Sequence, residues 1–252
     1  MKTILITGAT SGFGKACAEL FATSGWRLIL CGRRKERLTE LAARLAAPVY
    51  TAAFDVRDNE MVKRMYAEIP ADFRQIDVLV NSAGLALGML PAQDADLADW
   101  EAMVDTNIKG LMYMTRMILP DMVRRKTGHI VNLGSVAGNW PYPGGNAYGG
   151  TKAFVQQFSR NLRADLHGTG VRVTNIKPGL AETEFSVVRF HGDQKQADSV
   201  YAGMTPLSAA DIAETIHWTV SRPSHVNINT LEIMPVAQSW GPFPIYREEK
   251  KA

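Results

Sequence analysis

Cysteine is nearly missing from this 252-residue chain, which holds only Cys17 and Cys31. Two thiols at that spacing make neither a disulfide framework nor a metal-ligand cluster, and they suit a reducing cytoplasm. Histidine is sparse as well: five residues, scattered, with no pairing at ligand spacing, so no metal is expected. A surplus of one charge is also lacking. Lys and Arg number 28 against 25 Asp and Glu, a formal charge of +3. The basic runs Arg33-Arg34-Lys35, Arg124-Arg125-Lys126 and Lys250-Lys251 are too short for a nucleic-acid footprint. No stretch approaches the roughly 18 apolar residues of a membrane span. The opening Met1-Lys2-Thr3-Ile4-Leu5-Ile6-Thr7-Gly8 is too briefly apolar for a signal peptide. Repeats and low-complexity linkers are absent too. These absences together predict a cytoplasmic protein with no nucleic-acid, membrane or metal partner.

What the chain does have is rhythm. Short apolar runs at 3–7, 27–31, 49–54, 77–81, 129–134, 172–177 and 230–234 read as buried parallel strands, bounded by Gly, Asn, Asp or Pro. Between them, amphipathic stretches at 15–24, 35–45, 59–67, 98–125, 153–166 and 209–220 read as helices. Ser208 with Asp211 marks one helix start. Strand–helix alternation predicts an α/β fold: a Rossmann-type, doubly wound parallel sheet with helices on both faces. Residues 1–252 read as a single dinucleotide-binding catalytic domain. The polar, irregular segment 182–208 breaks the rhythm and is expected to be a substrate lid. The tail 239–252, rich in aromatic residues, follows the last strand.

The first strand runs into Gly8-Ala9-Thr10-Ser11-Gly12-Phe13-Gly14 and then a helix. Glycines there permit a tight turn and let backbone N–H groups approach a diphosphate at the positive end of the helix. The spacing is Gly-x-x-x-Gly-x-Gly, and its position in the first strand–turn–helix unit is what gives it weight. After the second strand, Cys31-Gly32-Arg33-Arg34 offers no carboxylate for a ribose 2′-hydroxyl. Two guanidiniums are present instead, which suit a 2′-phosphate, so NADP(H) is the expected cofactor.

Tyr148-Gly149-Gly150-Thr151-Lys152 sets a phenol and an ammonium four residues apart, on one face if helical. A cation beside a phenol favours phenolate, so Lys152 is expected to lower the Tyr148 pKa. Ser135 ends the preceding strand, where its hydroxyl could hold a substrate oxygen. Read alone, the pair could equally be ordinary helix neighbours and Ser135 an ordinary cap.

With the glycine turn, this set resembles the short-chain dehydrogenase/reductase family over essentially the whole chain. Thr7, Gly8, Thr10, Ser11, Gly12, Phe13 and Gly14 are similar to its cofactor loop, and Asp55-Val56 to its adenine contact. Asn81-Ser82-Ala83-Gly84 is similar to its Asn-Asn-Ala-Gly turn, with Ser82 a departure. Asn107 matches the asparagine that anchors a proton-relay water. Ser135, Tyr148 and Lys152 match the catalytic residues, and Pro178-Gly179 with Thr183 the nicotinamide-carboxamide contacts. The resemblance implies direct hydride transfer, with Tyr148 as proton donor, and commonly a homotetramer.

Within the family, residues 81–88, 138–142 and 226–229 are similar to a narrower group. Its members are NADP-dependent 3-hydroxy acid dehydrogenases and reductases of malonic semialdehyde or sulfoacetaldehyde. Such a substrate, a small anionic aldehyde or hydroxy acid, needs a fixed cation. Arg189 in the lid is the first candidate and Lys195 a weaker one. Phe243 and Tyr246 of the tail could reach a pocket, where Tyr246 would add a donor better used by sulfonate than by carboxylate. Two other readings compete: a reductase of a steroid, sugar or carrier-bound thioester, and a non-catalytic NADP sensor.

Overall fold

β-Branched and leucine-rich runs form the strands because only a sheet covered on both faces buries them completely. In the computed structural model, residues 1–240 are described. Strand β1 (Thr3–Thr7) is buried at every position. With β2 (Arg27–Gly32), β3 (Val49–Ala53), β4 (Val78–Asn81), β5 (Gly128–Leu133), β6 (Val171–Pro178) and β7 (Thr230–Ile233), it forms one seven-stranded sheet. All pairings are parallel, in the order β3-β2-β1-β4-β5-β6-β7. The doubly wound sheet expected from the alternation is therefore observed. Chain direction across the sheet reverses between β1 and β4, and the crevice outside their carboxyl ends is where such folds bind ligands.

Helices α1 (Gly12–Thr23), α2 (Lys35–Arg44) and α9 (Ala209–Val220) cover one face, burying Phe21, Leu38 and Ile216 in one core with Ile4, Leu28 and Ile176 of the sheet. Helices α3 (Asn59–Glu68), α5 (Leu111–Arg125) and α6 (Asn146–Asp165) cover the other with Val62, Met114 and Leu162. Cys17 and Cys31 are buried and unbridged, and burial pushes both thiols up. No described helix is long and apolar enough to cross a membrane.

Beyond shifts of one to three residues at element ends, three features differ from the sequence reading. The helix expected over 98–125 is α4 (Leu97–Val104), then a widened π turn at Asp105–Gly110, then α5. Apolar spacing cannot register one extra residue per turn, so that break was invisible. Helix α6 begins seven residues earlier than the expected start at Ala153, because Gly149 and Gly150 weaken the pattern without stopping the helix. The irregular segment 182–208 contains two short helices, α7 (Glu184–Arg189) and α8 (Gln194–Ser199). Thr183 caps α7 by accepting from Phe185 N, and Asp193 caps α8 by accepting from Gln196 N.

Helix α9 starts with the capping box read from Ser208 and Asp211: Ser208 N donates to Asp211 Oδ2 at 2.7 Å, and Asp211 N to Ser208 Oγ at 3.2 Å. Ser208→Ala should remove about 1 kcal/mol of stability and lower Tm by roughly 2–4 °C, measured by thermal unfolding.

Candidate active site

The glycine turn is built by close approach of two backbones. Gly8 has φ +67°, and a Cβ there would lie 2.9 Å from the Cα of Ala83. A Cβ on Gly14 would fall 2.4 Å from Gly8 O. Both positions require glycine. Thr7 Oγ1 joins the two crossing segments by accepting from Ser82 N at 3.0 Å and Ala83 N at 2.9 Å. The first turn of α1 carries no acidic residue and Ser11 makes no side-chain cap, so its positive end faces the crevice unneutralised. Gly12 and Phe13 line the same crevice. The turn carrying Ser82, Ala83 and Gly84 stands opposite, anchored by Asn81, whose Nδ2 donates to Thr115 Oγ1 at 3.0 Å and Asn132 Oδ1 at 2.9 Å.

Past β2 the two arginines diverge. Arg34 is engaged by the protein: Nε and Nη2 donate to Thr10 Oγ1 at 3.1 and 2.9 Å, and Nη2 also to Ser11 Oγ at 2.8 Å. Its remaining arm, Nη1, donates to Glu184 Oε2 at 2.9 Å. Arg33 lines the crevice with its side chain exposed. Of the two guanidiniums expected to meet a 2′-phosphate, Arg34 is held in this structure by Thr10, Ser11 and Glu184, and Arg33 makes no hydrogen bond to a described residue. Asp55 and Val56 line the far wall. Arg57 grips the Asp55 carboxyl through Nε and Nη2 at 2.9 and 2.7 Å. Against the upward pull of partial burial, these bonds hold that carboxyl below its ordinary range. Val56 also packs on Gly110, where a Cβ would come within 2.7 Å of its Cγ2.

Ser135, Tyr148 and Lys152 meet on the crevice floor. Tyr148 lies in the first turn of α6, and Lys152 one turn on. Lys152 Nζ donates to Leu133 O at 2.7 Å and stands 5.7 Å from the Tyr148 ring centre. Ser135 Oγ accepts from Ala137 N at 3.1 Å, donates to Pro178 O at 3.5 Å, and lies near enough to the Tyr148 phenol to draw its pKa down. Asn107 sits inside the π turn, 2% exposed, with Oδ1 accepting from Leu85 N at 2.9 Å. Its Nδ2 donates to Leu85 O at 2.8 Å and to Thr151 Oγ1 at 3.0 Å. Thr151 in turn donates to Tyr148 O at 2.8 Å. Sequence reasoning missed Thr151, although its place between Tyr148 and Lys152 on one helix was a usable signal.

One electrostatic expectation is overturned. Burial pushes the Tyr148 phenol up to about 12; Arg189 and the Ser135 hydroxyl draw it down without offsetting that. Burial also moves Lys152 down, to about 8. Each group is therefore biased toward its neutral form, and Arg189 is the first cation drawing the phenol down.

The roof comes from β6 and the lid. Pro178, Gly179 and Thr183 line the crevice opposite the glycine turn. Gly179 N donates to Ile233 O at 2.7 Å, and a Gly12 Cβ would lie 3.5 Å from Thr183. Arg189 closes α7 with its guanidinium carbon 5.0 Å from the Tyr148 ring centre and 5.3 Å from that of Phe185. Its Nη2 donates to Tyr142 Oη at 2.9 Å, while Nε is buried without a partner among the described residues. Lys195 is exposed on α8. Tyr246 and Phe243 lie outside the described residues. No cluster of three or more His, Cys, Asp or Glu that could hold a metal occurs among the described residues.

A family model described as short chain dehydrogenase matches residues 2–193. The chain belongs to the short-chain dehydrogenase/reductase family. Like its relatives it is an oxidoreductase, as its sequence motifs implied. It is 57% identical, over 97% of its length and 98% of the relative's, to sulfoacetaldehyde reductase 2 of Chromohalobacter salexigens. It is 56% identical to serine 3-dehydrogenase of Rhizobium radiobacter, over 98% of both chains. It is also 56% identical to NADP-dependent 3-hydroxy acid dehydrogenase YdfG of Salmonella typhi, over 97% of this chain and 99% of that one. Among solved structures it resembles the closed form of serine dehydrogenase complexed with NADP+. That match has a TM-score of 0.97 and 54% identity, covering 98% of this chain and all of that one.

The residues fit a dinucleotide. A Cβ on Gly84 would project toward Asn107 Oδ1 at 3.3 Å and Lys152 Nζ at 3.6 Å, so glycine keeps open the floor where a ribose would rest. The Lys152 shift has a kinetic consequence. Its ammonium stabilises the phenolate left by proton transfer, so carbonyl reduction should hold steady below pH 7. It should fall as pH rises through about 8, where Lys152 loses its proton. A pH profile of kcat/KM without an inflection between 7 and 9 would contradict this.

Proposed function

We propose that this protein is an NADP(H)-dependent reductase of short anionic aldehydes, acting reversibly on the corresponding hydroxy acids. Sulfoacetaldehyde to isethionate and malonic semialdehyde to 3-hydroxypropionate are the reactions it fits. The carrying observation is Arg189, a half-buried cation 5.0 Å from the ring of Tyr148. Both aldehydes place their anion one methylene from the carbonyl carbon, so one molecule can reach the phenol and the guanidinium together. The printed names of the relatives support the same class of substrate.

Bound NADPH supplies the hydride. The chain's own residues do the rest. Ser135 holds the carbonyl oxygen, and Tyr148 gives it a proton; burial keeps that phenol protonated at neutral pH. Lys152 faces the nicotinamide ribose from the floor and stabilises the phenolate. Asn107, fixed by Leu85 and Thr151, holds the relay water that returns a proton. Arg33 selects the 2′-phosphate, while Thr10, Ser11 and Gly12 cradle the diphosphate. The lid over 182–208 excludes water, which strengthens every charge interaction beneath it. Tyr142 holds the Arg189 fork through Nη2, leaving Nη1, whose one neighbour is Met89 Sδ at 4.0 Å, for a carboxylate or sulfonate. A cytoplasmic homotetramer belongs to the same proposal, supported by the unbridged cysteines and by exposed Trp140 and Trp218.

Tyr148→Phe should abolish turnover while leaving NADPH affinity nearly unchanged, measured by fluorescence titration. Arg189→Met should raise KM for sulfoacetaldehyde and malonic semialdehyde roughly 10- to 100-fold, the worth of a hydrogen bond to a charged group. KM for a neutral aldehyde should change little, while kcat on both kinds of aldehyde feels the loss of the cation beside Tyr148. An equal rise in KM on charged and neutral aldehydes would remove Arg189 from the substrate site.

A further inference from the structure

Glu184 is a carboxylate at the mouth of a crevice built for anions, where it would be expected to repel them. It follows Thr183 at the start of α7, and both its oxygens reach across to α2. Arg37 Nη1 donates to Oε1 at 2.7 Å and Oε2 at 3.0 Å, and Arg34 Nη1 to Oε2 at 2.9 Å. Because Arg34 is pinned on its other edge by Thr10 and Ser11, one string of polar bonds joins the phosphate loop, α2 and the lid. The far end of the lid is fastened too. Gly88 N donates to Arg189 O at 2.9 Å, and His191 Nε2 faces Asp99 Oδ2 of α4 at 3.1 Å. Between these attachments the lid spans the crevice from one bank to the other.

We propose that Glu184, held by Arg34 and Arg37, is a strap that fastens the first turn of α7 over the dinucleotide, so that its release sets how fast NADP(H) departs. Glu184 is a positioning residue in this scheme, because it acts on the cofactor through the lid. Repulsion from the 2′-phosphate stays small, since the two arginines neutralise the carboxylate and Arg33 is left to take the phosphate. The three side chains are 39–48% exposed, so the strap is modest in strength and weakened by salt.

The test follows NADPH release in a stopped-flow instrument, mixing the preformed binary complex with excess NADP+ and recording nicotinamide fluorescence. No aldehyde is present, so a wrong substrate assignment would not affect the result. Glu184→Gln should speed release about two- to tenfold, as the loss of two partly exposed ion pairs allows. Arg37→Gln should do the same, the double variant should add little, and NADH should be released faster by a similar factor. Added salt should move the unsubstituted protein toward the variant's rate. Unchanged or slower release in Glu184→Gln would overturn the strap, as would additive single effects. A change confined to NADPH would also overturn it, by placing Glu184 in the 2′-phosphate site instead.

Discussion

Everything in this crevice depends on two backbones passing at van der Waals distance where β1 and β4 end. Gly8 meets the Cα of Ala83 there, and a single hydroxyl, Thr7 Oγ1, accepts from two successive amides of the opposing turn. A side chain at position 8 would separate the loops and widen the mouth of the sheet. The cofactor loop and the turn bearing Gly84 would then lose their common reference. Lys152 and Asn107 are positioned from the same place, since a Cβ on Gly84 would point between them. The contact has only local extent, yet it sets the width of the whole site.

Onto that frame the fold adds a charge arrangement sustained by burial. Tyr148 and Lys152 are 9% and 7% exposed, and each is biased toward neutrality for the same reason, the loss of water around its ionised form. The pair therefore holds no standing phenolate at neutral pH, whereas Lys152 is still an ammonium there and loses its proton as pH passes about 8. A protonated phenol thus stands beside a cation close to its own titration point. Arg189 belongs to the same balance from above, because it is the first of the groups drawing the phenol down. The segment that carries Arg189 thus contributes charge to the floor as well as cover above it.

Much of this was legible in the sequence, and the reasons differ by element. Buried parallel strands must be apolar throughout, so their runs stood out, and the strand at 3–7 was placed to the residue. The capping box at Ser208 announced α9 because a short polar side chain there has a backbone amide to satisfy. That Ser135, Tyr148 and Lys152 would share a crevice with the glycine turn was visible because the chemistry expected of them demands residue types that few alternatives can replace. Partner choice was less visible. That Arg34 would turn toward Thr10, Ser11 and Glu184 depends on a residue 150 positions away, which no local pattern reveals. The direction of the Tyr148 shift was misjudged for a related reason: spacing reports a neighbour's charge but says nothing about the water both groups have lost.

The widened turn at Asp105–Gly110 carries a consequence for how this site can change. A regular helix advances about 100° per residue, so one surplus residue in a ring swings everything beyond it around the axis. Asn107 points at Leu85 and Thr151 because α4 and α5 tolerate that surplus. Deleting any one residue of the segment would restore an unbroken ladder of backbone bonds, and the straightened rod would carry the amide out of reach of both partners. Good helical geometry and the proposed proton path through Asn107 exclude each other at this point in the chain. Selection for rigidity alone would erase the irregularity that holds the amide in place.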